Sequence, residues 1–378
     1  MDNIYCNTLR CCKIGNSFRK LIGIIWALRL LAARSAYSSH ACCRKVRQSA
    51  SNTQHLSLFH SLSLRRDKRN MAGAKIMTEL INNNKVVLMR DPKTVRTKLD
   101  ALLDAGFDKL IVITDFDYTL SRFTKNGHRC STTHGVFEQA IAEEDKEFHA
   151  EISKLREKYL HIEFSPTMTI EEKTPYMEEW WQTSHKLIVE NRFSREKIKE
   201  FTAKSQVMLR ERAAEFVSFI EKQGSPLIVF SAGIGNIIQF VLEDQLGTVP
   251  KCLHILSNMM IFNKEGVCVN FSEPLVHTFN KNSSVVKKDA PFFHQISNRT
   301  CVLLLGDSLG DIHMDVGVEK ETVVLKVGYL NFNFEQLTEK YLEEYDIVLI
   351  DDQTMNVPLT ILKGFHEHST QANEVPSA

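Results

Sequence analysis

Two carboxylates one residue apart, Asp115 and Asp117, stand in Asp115–Phe116–Asp117–Tyr118–Thr119, directly after the apolar run Leu110–Thr114. Side chains so spaced past a strand end project into one crevice and can divide the work of phosphoryl transfer. One carboxylate attacks phosphorus and carries the phosphoryl group as an aspartyl-phosphate. The other protonates the departing oxygen and then draws a proton from water. Asp115 fits the first role and Asp117 the second; the plainer alternative is a turn whose aspartate caps a helix. Ser231–Ala232–Gly233–Ile234–Gly235 follows a second apolar run, Leu227–Phe230. A serine with small neighbours at a helix start can offer its hydroxyl and backbone N–H groups to a phosphate, or simply cap the helix. Gly306–Asp307–Ser308–Leu309–Gly310–Asp311 follows a third run, Val302–Leu305. With Asp115 these carboxylates would make the oxygen-rich setting that Mg²⁺ prefers. A side-chain cation is also needed against the substrate phosphate and the transition-state charge. Lys281 is the candidate, and Lys287 and Lys288 compete with it on spacing alone.

These groups need a scaffold that brings distant stretches to one edge. Short apolar runs at 110–114, 227–230, 302–305, 323–327 and 347–350 have the buried-strand character, and helical patterns such as 234–244 intervene. Alternation of this kind predicts an α/β fold with a doubly wound parallel sheet. Ligands bind beyond the carboxyl ends of such strands, where three of the runs stop at Asp115, Ser231 and Asp307. Residues 133–223 are charged and helical in pattern, with Ile198, Phe201, Val207, Met208, Phe216 and Phe219 at helix-like spacing across 198–219. So long an insertion is no loop and reads as a helical cap over the crevice. Residues 258–271 read as a hairpin around Asn263–Lys264–Glu265–Gly266.

Composition narrows the class. The 378 residues hold 47 Lys/Arg against 46 Asp/Glu, but residues 1–70 alone carry a net +11 and the remainder −10. An acidic body is a poor general binder of nucleic acid, so no nucleic-acid partner is expected. Five of nine cysteines also lie in the first segment; Cys130, Cys252, Cys268 and Cys301 are scattered without a CxxC pair. That excludes a zinc ribbon or disulfide framework and suits a reducing compartment. Residues 1–70 are Arg- and Ser-rich, with a thirteen-residue apolar run (21–33) too short to span a bilayer comfortably. They read as a disordered leader, a mitochondrial presequence or a membrane-surface helix; membrane contact is expected only through them.

Taken in order, DxDxT, Ser, Lys and GDSxGD resemble the haloacid dehalogenase-like phosphatases. The stretches DFDYTLSRF (115–123), EEKTPYMEEWW (171–181), FSAGIG (230–235), FNKNSS (279–284), LLGDSLGD (304–311) and YDIVL (345–349) narrow the resemblance to cytosolic 5'-nucleotidase III, also called pyrimidine 5'-nucleotidase. It covers roughly residues 75–363 and includes a branch preferring 7-methylguanosine monophosphate. The resemblance implies a Rossmann-like core at 71–125 and 224–365, an inserted helical cap at 126–223, and a flexible tail at 366–378. It implies a cytoplasmic, monomeric, Mg²⁺-dependent enzyme that converts nucleoside 5'-monophosphates to nucleoside and phosphate, with nucleoside phosphotransfer as a side activity. Residue by residue, Asp115 would be nucleophile and metal ligand, and Asp117 acid/base and ligand through its carbonyl. Asp307 would complete the metal site with Asp311 in support; Ser231, Ala232 and Lys281 would hold the phosphate. Glu163 and Ser184 match positions that contact the nucleoside, and Trp181 resembles the methylguanosine branch. Two departures stand out: Tyr118 replaces the usual methionine and is expected to line the cap interface, and Asn236 stands where aspartate is usual. The alternatives are a phosphatase of another small phosphometabolite and a non-catalytic nucleotide-binding module.

Overall fold

The computed structural model describes residues 71–373 apart from 84–85, 143–144, 166, 283, 286–295, 297 and 316–322. The basic segment 1–70, with its targeting and anchoring readings, and the competing Lys287 and Lys288 lie outside the described residues. A helix over 71–82 (α1) buries Ile76, Met77 and Leu80. Then come β1 (Val87–Leu88) and α2 (Pro92–Ala105), started by Asp91, whose carboxylate accepts from the N–H groups of Lys93 and Thr94. The central sheet has seven strands in the order β1, β11 (Ile347–Ile350), β10 (Val323–Leu330), β9 (Cys301–Gly306), β2 (Leu110–Thr114), β5 (Leu227–Ile234) and β6 (Leu253–Asn258). All neighbours pair parallel except β1, which runs antiparallel to β11. The parallel strands read as unbroken apolar runs because both faces are covered: Ile111, Val112, Val302, Leu303 and Leu304 are fully buried.

Between β2 and β5 the chain makes a small hairpin, β3 (Thr124–Lys125) and β4 (His128–Arg129), then a run of helices. These are α3 (Gly135–Ile141), α4 (Lys146–Glu163), α5 (Ile170–Glu190), α6 (Arg195–Lys204) and α7 (Ala213–Lys222). Thr169 starts α5 with a reciprocal capping box to Glu172. The expected continuous pattern over 198–219 is two helices instead. Residues 205–212 are extended, because here the returning chain pairs with the departing one: the Arg122 N–H donates to the Met208 carbonyl and the Arg210 N–H to the Leu120 carbonyl. The apolar residues Val207 and Met208 belong to that linker rather than to a helix face. Helix α7, although inside the interval expected to be cap, sets Phe219 against Phe107 and pairs Glu215 with Lys363.

After β5 come α8 (Gly235–Leu246) and the expected hairpin, β7 (Met260–Phe262) with β8 (Cys268–Phe271). Asn236, one of the two departures, accepts the Met260 N–H at 2.6 Å and so seats this hairpin. After β10, helix α9 (Phe334–Glu344) leads to β11, and α10 (Asn356–Asn373) closes the chain. The tail expected from 366 onward is helical as far as 373. His366 packs on Phe219 and Glu367 pairs with Lys75, which gives that stretch surface to fold against. No described helix is long and apolar enough to cross a membrane.

Candidate active site

Register explains why distant residues meet. Thr114 on β2 is level with Leu305 on β9 and Val229 on β5, so the three strands end together. Asp115 is the first residue past β2, its N–H bonded to the Leu305 carbonyl. Asp307 is the first past β9, and Ser231 lies in a register break of β5 between Phe230 and Ile234. The break frees three residues from the ladder just where a phosphate would need backbone donors. There the Ser231 hydroxyl accepts the Gly233 N–H at 3.0 Å.

Lys281 arrives on a loop that the Asn258 side chain stitches to the sheet. Its amide donates to the Ala232 and Val276 carbonyls at 2.9 and 2.8 Å and its oxygen accepts the Val276 N–H. The ammonium donates to Asp115 at 2.5 Å and to Asp311 at 2.7 Å, with all three side chains buried. The second oxygen of Asp311 accepts from the N–H groups of Asp307 and Ser308 and from the Ser308 hydroxyl. Tyr341 and Tyr345 hold the same loop by donating to the Asp307 and Ser308 carbonyls. Gly310 has to be glycine: a Cβ there would meet the Thr278 carbonyl oxygen at 2.2 Å.

The electrostatics are unbalanced toward negative charge. Asp115, Asp307 and Asp311 each place an oxygen within 4.8 Å of the others, against the single ammonium of Lys281. Burial pushes the Asp115 carboxyl up to about 7, pulled back by Lys281 and raised again by Asp311. Asp307 is also raised well above its usual range, by burial and then by Asp115. Burial opposes the charge on Lys281, yet Asp115 and Asp311 outweigh it and hold its pKa above the ordinary lysine value. A surplus of buried carboxylate oxygens suits a hard divalent cation. Asp115 and Asp307 have oxygens to give it, whereas the Asp311 oxygens are already engaged.

Asp117 turns away from this cluster. Its oxygens accept the Thr133 N–H at 2.8 Å and the Thr133 hydroxyl at 2.7 Å. Burial raises its pKa to about 6, while the two Thr133 bonds hold it down. That value lies where one carboxyl can both give and take a proton near neutrality. The Thr133 hydroxyl also accepts the Ile234 N–H at 3.2 Å, and a Cβ on Gly233 would meet it at 2.2 Å. Tyr118 differs from expectation. Rather than lining the cap, it packs edge-on against Phe123, donates to the Cys130 carbonyl and accepts from Arg129, anchoring the β3–β4 hairpin.

The helical insertion contributes the remaining residues. Glu163, the last of α4, accepts the Thr278 hydroxyl at 2.7 Å, three residues from Lys281. Burial raises the Glu163 carboxyl, and that bond lowers it. Trp181 on α5 donates its indole N–H to the Ala232 carbonyl at 2.7 Å and is 9% exposed. Trp180 meets it edge-on at 5.1 Å and stacks on Tyr159. Ser184 is buried one turn further along α5. Sequence reasoning missed His185, stacked at 3.8 Å on Phe271 and at 5.9 Å on His134, with Nε2 lacking a hydrogen-bond partner. It missed Thr133, Asn258 and Arg210 as well; no local pattern marks them, since each acts through a partner about 16 to 140 residues away. Asp115, Asp117, Ser231, Ala232, Lys281, Asp307, Glu163 and Trp181 are joined by these contacts around one crevice, and the described bonds do not tie Ser184 into it.

Comparison with known proteins agrees with this architecture. Residues 118–366 match the family model described as pyrimidine 5'-nucleotidase (UMPH-1). The chain is 48% identical over 279 residues to a putative cytosolic 5'-nucleotidase 3 of Caenorhabditis elegans, covering 73% of this chain and 74% of that one. It is 40% identical over 273 residues to the human 7-methylguanosine phosphate-specific 5'-nucleotidase, covering 72% and 89%. Among solved structures, cytosolic 5'-nucleotidase IIIB bound to cytidine superposes with a TM-score of 0.69 at 33% identity, covering 75% of this chain and 95% of that one.

Proposed function

The chain belongs to the pyrimidine 5'-nucleotidase family, and from that premise we propose that Asp115 is the nucleophile of a 5'-nucleotidase with Asp117 as its acid and base. The reading rests on one observation above all: a buried carboxylate at a strand end, flanked by Lys281 and Asp307, with a second carboxylate two residues on held apart by Thr133. An Asp115 oxygen bonds to phosphorus while the bond to the ribose 5'-oxygen breaks, and Asp117 gives that oxygen a proton. Asp117 then takes a proton from water, whose oxygen bonds to phosphorus as the Asp115–phosphorus bond breaks. Phosphate and nucleoside leave. A nucleoside hydroxyl in place of water would give phosphotransfer.

In the first step Lys281 neutralises the phosphate oxygens, and the Ser231 hydroxyl with the freed Ala232 backbone orients them. Mg²⁺ fits the carboxylate surplus: Asp115, Asp307 and the Asp117 carbonyl would hold it, with Asp311 fixing the loop. When bound it would supply positive charge to the phosphoryl group as negative charge develops. Glu163 and Ser184 would meet the nucleoside. For the base we propose both pyrimidines and 7-methylguanine: Trp181 stands over the Ser231–Gly233 break, and an indole face attracts the positive charge of a 7-methylated purine.

Purified protein should release phosphate from CMP, UMP and 7-methyl-GMP in the presence of Mg²⁺ and lose that activity with excess chelator. Measuring kcat/KM for CMP and 7-methyl-GMP side by side assigns the base. Preference for a phosphoamino acid over all three nucleotides would overturn the nucleotidase reading.

A further inference from the structure

Arg210 is the largest fully buried side chain of the described residues, and it takes part in no described ion pair. Arginine keeps its charge even in such a setting, so the guanidinium must be held by neutral acceptors. Its Nε donates to the Thr119 carbonyl at 2.6 Å. Its Nη2 donates to the Tyr118 carbonyl and, at 3.0 Å, to the Asn331 side-chain oxygen. Its Nη1 donates to the Asp352 carbonyl, and the whole group lies 4.0 Å over the Tyr329 ring. The Asn331 amide donates to the Tyr118 carbonyl as well, at 3.0 Å.

Two of these acceptors are the peptide carbonyls that follow Asp117. Tyr118 there has φ 63° and ψ 9°, a left-handed conformation that side chains other than glycine seldom adopt. The turn directs the chain away so that the Asp117 carboxylate reaches Thr133. Meanwhile Arg210 sits at the return from the helical insertion. Its own N–H bonds the Leu120 carbonyl at 3.0 Å, and Leu209 bridges to Ser121. One side chain therefore joins the paired linkers of the insertion to the strained turn beside the catalytic carboxylate.

We propose that Arg210 is a positioning residue for Asp117: it holds the left-handed turn in shape and makes that shape depend on the linkers of the cap being paired. This rests on the reading of Asp117 as acid and base. Loss of the grip lets the turn relax and Asp117 drift, while Ser231, Lys281 and the cap contacts remain. The defect should fall on proton transfer rather than on binding.

The test uses the full chain with Arg210→Lys and Asn331→Ala, CMP as the natural-type substrate and p-nitrophenyl phosphate as one whose leaving group departs without a proton. For Arg210→Lys, kcat with CMP should fall about 10²-fold with KM within about threefold, the lower end of what acid–base catalysis contributes. With p-nitrophenyl phosphate the first turnover should stay fast and later ones slow, giving a burst and a trapped phosphoenzyme, because the second step still needs the base. Asn331→Ala should show the same pattern at about a tenfold loss, and it decides the matter if Arg210→Lys does not fold. An unchanged kcat in the folded variants, or an equal loss for CMP and for the p-nitrophenyl phosphate burst, would overturn the proposal. Asp117→Asn run in parallel separates the two levels. Full turnover there sinks the acid–base assignment itself, whereas an inactive Asp117→Asn beside a normal Arg210→Lys sinks only the role of Arg210.

Discussion

Replacing Lys281 with methionine keeps the length of the side chain and removes the one cation among three buried carboxylates. Its ammonium lies 2.5 Å from Asp115 and 2.7 Å from Asp311. At an effective dielectric of about 20, each contact represents a gross attraction of about 6 kcal/mol. Most of that is offset by taking the charges out of water, and the observed cost of breaking such a buried pair is about 3–5 kcal/mol. Metal-free Lys281→Met should therefore be less stable than the unaltered protein by about 3–5 kcal/mol at pH 8. The sign of the pH dependence follows from Asp115. Its folded pKa of about 7 lies above the ordinary 3.8, so its contribution to stability is full below about 4 and is lost as pH rises through 7. Lys281 lowers that pKa, so without it the carboxyl titrates higher still and is protonated across pH 5–6. The gap between variant and parent should narrow at pH 5.5, where the stranded charge has been neutralised. Urea unfolding in chelator at pH 8 and pH 5.5 measures both quantities. With Mg²⁺ present, kcat should fall about 10²–10³-fold, as for loss of one preorganised donor to the reacting oxygens. Equal stability at pH 8, or a gap that stays constant down to pH 5.5, would refute the assignment of Lys281 as the charge that makes the carboxylate cluster tolerable.

Asp115→Asn should lose at least about 10⁴-fold in turnover and form no acid-stable phosphoenzyme; appreciable labelling of that variant would exclude Asp115 as nucleophile. Thr133→Val removes a bond that favours charged Asp117, so its pKa rises from about 6 and the acidic limb of the kcat profile should move to higher pH; a limb that stays put would dissociate it from Asp117. Because a cation must displace protons from Asp115 near pH 7, Mg²⁺ binding should release protons at pH 7 and almost none at pH 9, which titration calorimetry in buffers of different ionisation enthalpy reads directly. Trp181→Phe forfeits the indole bond to the Ala232 carbonyl, worth about 1 kcal/mol, and KM for nucleotides should rise about fivefold, whereas an unchanged KM would make Trp181 a packing residue.

The amino-acid sequence by itself determined the class of the fold and the ends of the strands that matter. Unbroken apolar runs admit only a sheet covered on both faces, and each run stops at a residue able to act on a phosphate. Resemblance then marked Lys281 and Glu163, whose local surroundings carry no signal. The hairpin at 258–271 was legible from its turn, while 198–219 was not. Apolar spacing alone does not distinguish a helix face from an extended linker whose partner, residues 120–122, lies about ninety positions back. Tertiary structure alone decided where the side chains after Asp115 point. Tyr118 went to the β3–β4 hairpin because Arg129 and the Cys130 carbonyl complete its hydroxyl there. Asp117 went to Thr133, and Arg210 went to the turn between them, because a buried polar group takes the partner that folding brings within reach. Such pairings join elements far apart in the chain, so composition and periodicity do not encode them locally. They nonetheless set how the nucleophile Asp115 and its proton donor are held.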